Sequence, residues 1–400
     1  MGNIETRYEV ELNYLHKNKE TNIKTEAIKY ITIDNNYLAT NFPVIFLKVN
    51  IISSLYDKML KNIESDTVAL TISKYDNDKE QRTTTNYIKD EFIYFFPNTD
   101  SNYNEEIEKE ATDDKQSTSN AYRETHIGLL SIEIYNYTKK IYNDVISGNM
   151  QSIVYTYLKD LKKVIMEPFD TDKEMKNLLI PPIVGLNNLI DYLSDINSFY
   201  NSHHMFFIDL TKTCFLLSCN GNEVKRKANS YSSVIIDVDK TGKDSKSKAL
   251  GMEKDTKNKC FKLNINRKDY NFSKNLYSDK EYNQIITIDS IGKVSKINLN
   301  NANNSKGKRV KIFRTLSSNG NKKLNLKYIS SVSNAIVSVT KSNIDSSVLT
   351  PEKSYNISNP NANKKYDGDY TLISKQEIFR KEDEKYFTVV VNLKLSKTVS

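Results

Sequence analysis

The chain has 400 residues, a formal net charge of +8 and a hydrophobic fraction of 38%, with 26 Tyr and 15 Phe. This length favours two or three domains, and the apolar content excludes disorder throughout. No apolar run reaches the roughly 18 residues that cross a bilayer, and the first residues lack a signal-peptide pattern. We therefore expect no stable membrane insertion. Cys214, Cys219 and Cys260 cannot all pair and fit no zinc spacing, which favours a reducing compartment.

The charge is unevenly distributed. Residues 98–114 hold seven acids against one Lys, whereas residues 221–320 hold 22 Lys/Arg against 10 Asp/Glu. Such a basic region could face nucleic acid, an anionic surface or an acidic protein, and charge alone does not choose among them.

The first third of the chain shows the alternation of half-buried strands. The predicted strands cover residues 8–12, 27–33, 44–49, 67–75, 91–96 and 127–135, with a short helix over 53–60. Residues 98–120 are acidic and nearly devoid of large aliphatic side chains, which predicts a mobile loop.

The middle of the chain changes to helical spacing. Apolar positions predict a helix over 149–165, which Pro168 ends, and a second helix over 186–196. Residues 205–210 and 214–218 then predict a hairpin around the turn Thr211-Lys212-Thr213.

Strands return in the last part of the chain. They are predicted over 234–238, 284–290, 310–314, 327–332, 335–340, 370–380 and 385–395. The polar, Lys-rich stretch 239–280 is interpreted as a long loop with one short strand at 260–265. Two β units therefore flank a smaller middle unit.

One segment has the look of an enzyme site. A strand ending in Asp237-Val238-Asp239-Lys240-Thr241 is the arrangement used by phosphate-transferring enzymes of the haloacid dehalogenase type. Such a site needs alternating strands and helices, and a Lys-rich loop follows here instead. A calcium loop starting at Asp237 would need Glu where Lys248 stands. We therefore predict neither.

Two further patterns have simpler explanations. The adjacent His203 and His204 would point to opposite faces of an extended segment, which favours a strand-entry role over metal binding. The run Lys306-Gly307-Lys308-Arg309, with Lys311, Phe313 and Arg314, could bind phosphate, but lysines also protect sheet edges. We predict no catalytic, cofactor-binding or metal-binding residues, no cofactor and no enzymatic activity.

Two segments carry a resemblance to the phage tail and baseplate hub family. Leu179-Ile180-Pro181-Pro182-Ile183, the helix from Leu186 to Leu193 and the strand from Met205 to Asp209 resemble the helix-then-strand passage of its middle domain. Tyr366 to Ser374 with Phe387 to Leu393 is similar to the closing hairpin of a tube-type barrel. The strand order in residues 1–135 also looks like such a barrel.

The resemblance implies a β-dominated α+β fold, with two tube-type antiparallel β-barrel domains flanking a smaller α/β middle domain. The expected domains are 1–139, 140–222 and 223–400. It also implies a homotrimeric ring in the virion tail baseplate, made in the host cytoplasm, that joins the tail tube protein to the central spike and contacts other baseplate proteins. The insertions at 98–120 and 239–280 depart from a compact barrel.

Two alternatives stay open. A peripheral baseplate or receptor-binding tail component would also be rich in strands. A nucleic-acid-binding module would use the basic region 221–320, and its binding would depend steeply on salt.

Overall fold

The computed structural model describes residues 6–38, 40–78, 81–97, 122–170, 172–200, 204–219, 233–238, 252–276, 284–288, 294–298, 310–314, 333–357 and 367–398. Within these residues, none of the helices has the length and apolar character that a bilayer span requires. The predicted segments 98–120, 239–251 and 327–332 lie outside the described residues.

Among the described residues, the first part of the chain forms seven strands and two α-helices. They are β1 Thr6–His16, β2 Lys19–Ile23, β3 Ile28–Asn36, β4 Val44–Ile52, α1 Ser53–Lys61, β5 Thr67–Asp78, β6 Gln81–Phe95, β7 Tyr122–Ser131 and α2 Ile132–Lys139. The burial of β1, β3 and β4 alternates residue by residue, as the apolar pattern predicts for strands around a core.

The middle of the chain is a mixed α/β unit. Its elements are β8 Ile141–Asn149, α3 Met150–Leu158, β9 Lys163–Met166, β10 Glu174–Val184, α4 Leu186–Ile196, β11 His204–Ile208 and β12 Thr213–Ser218. Strands β8 and β10 form a two-stranded ribbon, and β11, β12 and β9 form a small sheet. Both helices contribute to a core separate from the main one, with Leu158, Leu189 and Leu193 fully buried.

The last part returns to strands. They are β13 Ser233–Val238, β14 Met252–Asp255, β15 Cys260–Ile265, β16 Tyr270–Leu276, β17 Gln284–Ile288, β18 Val294–Asn298, β19 Val310–Arg314, β20 Ser333–Ser342, β21 Ser354–Ile357, β22 Gly368–Lys381 and β23 Phe387–Thr398. Strands β18, β17 and β19 form a sheet of their own.

The hairpin of β22 and β23 belongs to two sheets. Strand β22 pairs with β3 and β23 pairs with β1, which closes the ring β1, β5, β6, β7, β4, β3, β22, β23. The same two strands also continue a second sheet in the order β14, β15, β13, β21, β22, β23, β20, β16. The β-dominated class is therefore confirmed. All pairs of the first ring are antiparallel, whereas β13 runs parallel to both β15 and β21.

Three predicted elements need correction. The strand predicted over 127–135 ends at Ser131, where α2 begins with Glu133 in its first turn and Lys139 in its last, charges that favour a helix. The helix predicted over 149–165 ends at Leu158, because residues 163–166 pair in parallel with β12. The stretch interpreted as a loop at 239–280 contains β14 and β16 as well as the expected strand β15.

Gly128 provides space for an aromatic pair on the barrel wall. It lies on β7 between Phe46 of β4 and Phe95 of β6, which are its partners in the two neighbouring strands. The two rings approach to 6.4 Å edge to face. A Cβ atom on residue 128 would lie 2.2 Å from the Phe95 ring. The glycine is therefore required for Phe95 to cover the strand.

We predict that Gly128→Ala lowers the free energy of unfolding by about 1–3 kcal/mol, because the methyl group forces the Phe95 ring aside. Urea unfolding of the single variants and of the Gly128→Ala/Phe95→Ala double variant measures the effect. The cost of Gly128→Ala should nearly vanish in the Phe95→Ala background. An equal cost in both backgrounds would show that Phe95 is not the group displaced.

Candidate functional site

The point where the two sheets meet is marked by a bulge in β22. The register of β22 against β23 shifts between Leu372 and Ser374. Before the shift, Tyr370 and Leu372 are buried beside the second sheet. After it, Glu377 and Phe379 are buried inside the first barrel, where the Phe379 ring meets Tyr8 edge to face at 5.0 Å. A bulge changes the direction of side chains in this way, so one strand contributes side chains to the interior of both sheets, within a single hydrophobic core.

A buried ion pair follows this bulge directly. Lys375 is 6% exposed and Glu377 is 1% exposed, and Lys375 Nζ lies 3.4 Å from Glu377 Oε2. The ammonium group also donates to the carbonyl of Ser346 at 3.2 Å. The carboxylate accepts hydrogen bonds from Tyr87 Oη at 2.5 Å and Asn35 Nδ2 at 3.4 Å. Both charges are therefore compensated within the chain, as burial requires.

A cavity of about 280 Å³ adjoins this pair. Its walls come from β3, β5 and β6 of the first barrel, from β22, from the turn that begins at Asp209 and from the segment that includes Thr350.

Burial, reinforced by the charge of Glu377, raises the pKa of Tyr87 well above its ordinary value. Burial also raises the pKa of Tyr37 well above normal. Both phenols therefore stay protonated, and that of Tyr87 donates to the carboxylate.

The tip of the β11–β12 hairpin reaches the same region. Asp209 Oδ1 accepts from the backbone N–H groups of Thr211 and Thr213, both at 2.9 Å. Burial raises the pKa of Asp209 even though these hydrogen bonds oppose the shift. Lys212 has a φ of 63° and contacts Asp90 and Ser131 of the first barrel. The middle unit is thus attached to the barrel through charged contacts.

An apolar contact and an ion pair add to this attachment. The ring of Phe207 meets Tyr37 edge to face at 4.7 Å, and the N–H of Ile208 donates to the carbonyl of Asn41 at 2.9 Å. On another side, Lys74 Nζ lies 2.6 Å from Asp345 Oδ2. We call Asn35, Tyr87, Asp209, Lys375 and Glu377 the junction network. Lys375 holds the segment around Ser346 against the barrel, whereas the contacts of Lys212 and Phe207 hold the middle unit there.

The structure describes only some of the residues singled out in the sequence. Asp237 lies on an exposed position of β13, and Asp239, Lys248 and Lys306 to Arg309 lie outside the described residues. His203 also lies outside them. His204 begins β11, with Nδ1 3.2 Å from Ser194 Oγ and Nε2 3.1 Å from Asp191 Oδ1. These contacts agree with the predicted strand-entry role.

No group of three or more His, Cys, Asp or Glu side chains suited to a metal ion occurs among the residues that the structure describes. The junction network was not predicted from the sequence. One signal was present, since Lys375 and Glu377 occupy alternate positions of a strand whose inward positions are otherwise apolar or aromatic. Two charges at such positions indicate either a buried ion pair or a strand whose buried face has been assigned wrongly.

Solved structures with a similar fold are phage tail and secretion proteins. A tail protein from Neisseria meningitidis MC58 has a TM-score of 0.51 at 8% identity, covering 98% of this chain and 96% of that one. The 43 kDa tail protein of prophage MuSo2 from Shewanella oneidensis has a TM-score of 0.48 at 8% identity, and the match covers 98% of this chain and 97% of that one. A Francisella PdpA-VgrG complex has a TM-score of 0.48 at 12% identity, and the match covers 98% of this chain and 53% of that one. The first of these shows that the chain has the fold of a tail protein.

The family model of the bacteriophage PBS1 gene 109 protein matches residues 4–398. The chain belongs to this family. Comparison with curated proteins gave no match. The resemblance to phage tail hub proteins seen in the two sequence segments is thus confirmed for family and fold.

We predict that Lys375→Met lowers the free energy of unfolding by about 3–5 kcal/mol, because it leaves the Glu377 carboxylate buried without its cation. Lys394→Met is the matched control, since Lys394 lies on the adjacent strand β23 and is exposed. Its effect should stay within about 0.5 kcal/mol. Chemical denaturation at pH 7 compares the two variants, and equal small losses would show that the buried pair is not needed.

Proposed function

We propose that this chain is a structural tail protein, the hub of a phage baseplate, and that three copies form a ring joining the tail tube to the central spike. The observation that carries the proposal is the hairpin shared by two sheets. It joins the closed ring of eight strands to a second sheet in the same chain, and three copies would present six such units in a ring. A six-fold tube and a three-fold spike could then be matched by one protein.

The membership in a bacteriophage family and the tail-type fold support this proposal. The proposed domains are 1–139, 140–222 and 223–400, with the hairpin of β22 and β23 contributing to the first barrel as well as to its own domain. The proposed partners are two further copies, the tail tube protein, the central spike and other baseplate proteins. The proposed location is the virion tail, after synthesis in the host cytoplasm.

Within the described residues, the junction network favours a mechanical role. Its charged groups have partners inside the chain and its surroundings are rigid strands, which suits a component that transmits force without rearranging. The absence of enzymatic activity stays a prediction.

We predict that the purified chain forms a three-fold ring of roughly 138 kDa, three times the 46.1 kDa chain. Light scattering gives the mass and negative-stain imaging gives the symmetry, for the chain alone and mixed with the tube and spike proteins of the same phage. The ring should bind both partners on opposite faces. A persistent monomer that binds neither partner would contradict the hub and favour a peripheral tail component.

A further inference from the structure

The ribbon of β8 and β10 carries an exposed apolar surface. Ile141 is 64% exposed, Val145 59%, Leu179 62% and Val184 52%. In the register of the ribbon, Leu179 is opposite Val145 and Val184 is opposite Ile141. The four side chains therefore form two cross-strand pairs on one face, which we call the outer face.

The ribbon is held firmly from its other side. Tyr142 and Ile180 are buried in the core formed with α3 and α4, and Ile146, Leu178 and Ile183 pack against that core. The Pro181-Pro182 step falls within a register shift of β10, where proline is tolerated. In the described part of the chain, β8 and β10 pair only with each other. The outer face is thus a fixed surface that the described residues leave uncovered.

Charge decides what kind of molecule can cover this face. On the outer side of β8, the residues that accompany Ile141 and Val145 are Asn143 and Ser147, which are uncharged. Asp144 faces the other way, toward the hydroxyl of Tyr157 on α3 at 3.5 Å. A nucleic-acid strand would need cations here. Two copies of a chain with a net charge of +8 repel each other, and contact is least opposed where charges are absent.

The size of the ribbon fits the centre of an interface. Strands of 9 and 11 residues give a face of roughly 30 by 10 Å, about a third of the 800 Å² that each partner of a stable interface buries. Interfaces have an apolar centre with a polar rim. Glu174 and Lys176, at the far end of β10, are exposed and suit such a rim.

We propose that the outer face of the β8–β10 ribbon packs against a second copy of this chain and forms the apolar centre of the contact between subunits. The inference rests on the proposed ring, because only an oligomer supplies the second copy. It goes beyond that ring by naming the surface that holds it together.

The test compares association of the full chain and its variants by sedimentation velocity over a range of concentrations. Leu179→Lys and Val145→Lys place a charge on the outer face and are expected to weaken association at least tenfold, since a charge buried without a partner opposes contact. Leu60→Lys is the matched control, because Leu60 is 49% exposed on α1 and lies outside the ribbon. Thermal unfolding checks that all three variants keep the fold.

Photo-crosslinking from a benzoylphenylalanine at position 179 gives an independent readout, and covalent dimers of this chain are expected. An oligomer that survives Leu179→Lys overturns this inference and leaves the ring intact. A wild-type chain that stays monomeric at every concentration overturns both. Loss of tube or spike binding in Leu179→Lys, with the oligomer unchanged, assigns the face to another protein and also overturns the inference.

Discussion

The fold depends on the pairing of one C-terminal hairpin with strands from both ends of the chain. Strand β22 pairs with β3 over residues 374–380 and 30–36, more than 300 positions apart in sequence. Strand β23 pairs with β20 over nine positions and meets β1 only at Phe387 and Tyr8. Without this hairpin the first barrel has two open edges, and open edges are sites of unwanted pairing.

This sharing explains why charge is buried where the sheets meet. A strand that belongs to two sheets must reverse the side on which its residues are buried, and the bulge between Leu372 and Ser374 performs that reversal. An apolar side chain at position 375 would leave the carbonyl of Ser346 without its donor, and one at position 377 would leave the hydroxyl of Tyr87 without its carboxylate acceptor. Lys375 and Glu377 satisfy both, and a buried pair that is hydrogen-bonded in this way favours one arrangement of the surrounding parts.

The sequence allowed prediction of the elements whose pattern is local. The alternation in β1, β3, β4 and β22 and the helical spacing of α4 identified these elements, because burial on one side produces that periodicity. Prediction from the sequence failed where pairing between distant segments decides the secondary structure. Val164 and Ile165 continue a helical spacing, yet they pair with Cys214 and Phe215 in a strand. The junction network combines residues from positions 35 to 377, so no single segment contained it.

The same topology constrains how the chain reaches its folded state. Because β22 and β23 lie more than 300 positions after β1 and β3, the barrel made mainly of early residues cannot close until these distant strands are available. Contacts of such large sequence separation are slow to form, since loop closure must precede them. The early strands therefore remain with unpaired edges for longer than in a barrel of consecutive strands. The exposed Lys19 and Glu20 of β2 and the exposed Lys89 and Glu91 of β6 are placed where charge discourages pairing with other chains during that interval. Closure by the hairpin of β22 and β23 then couples both sheets, because neither sheet can be completed without these two strands.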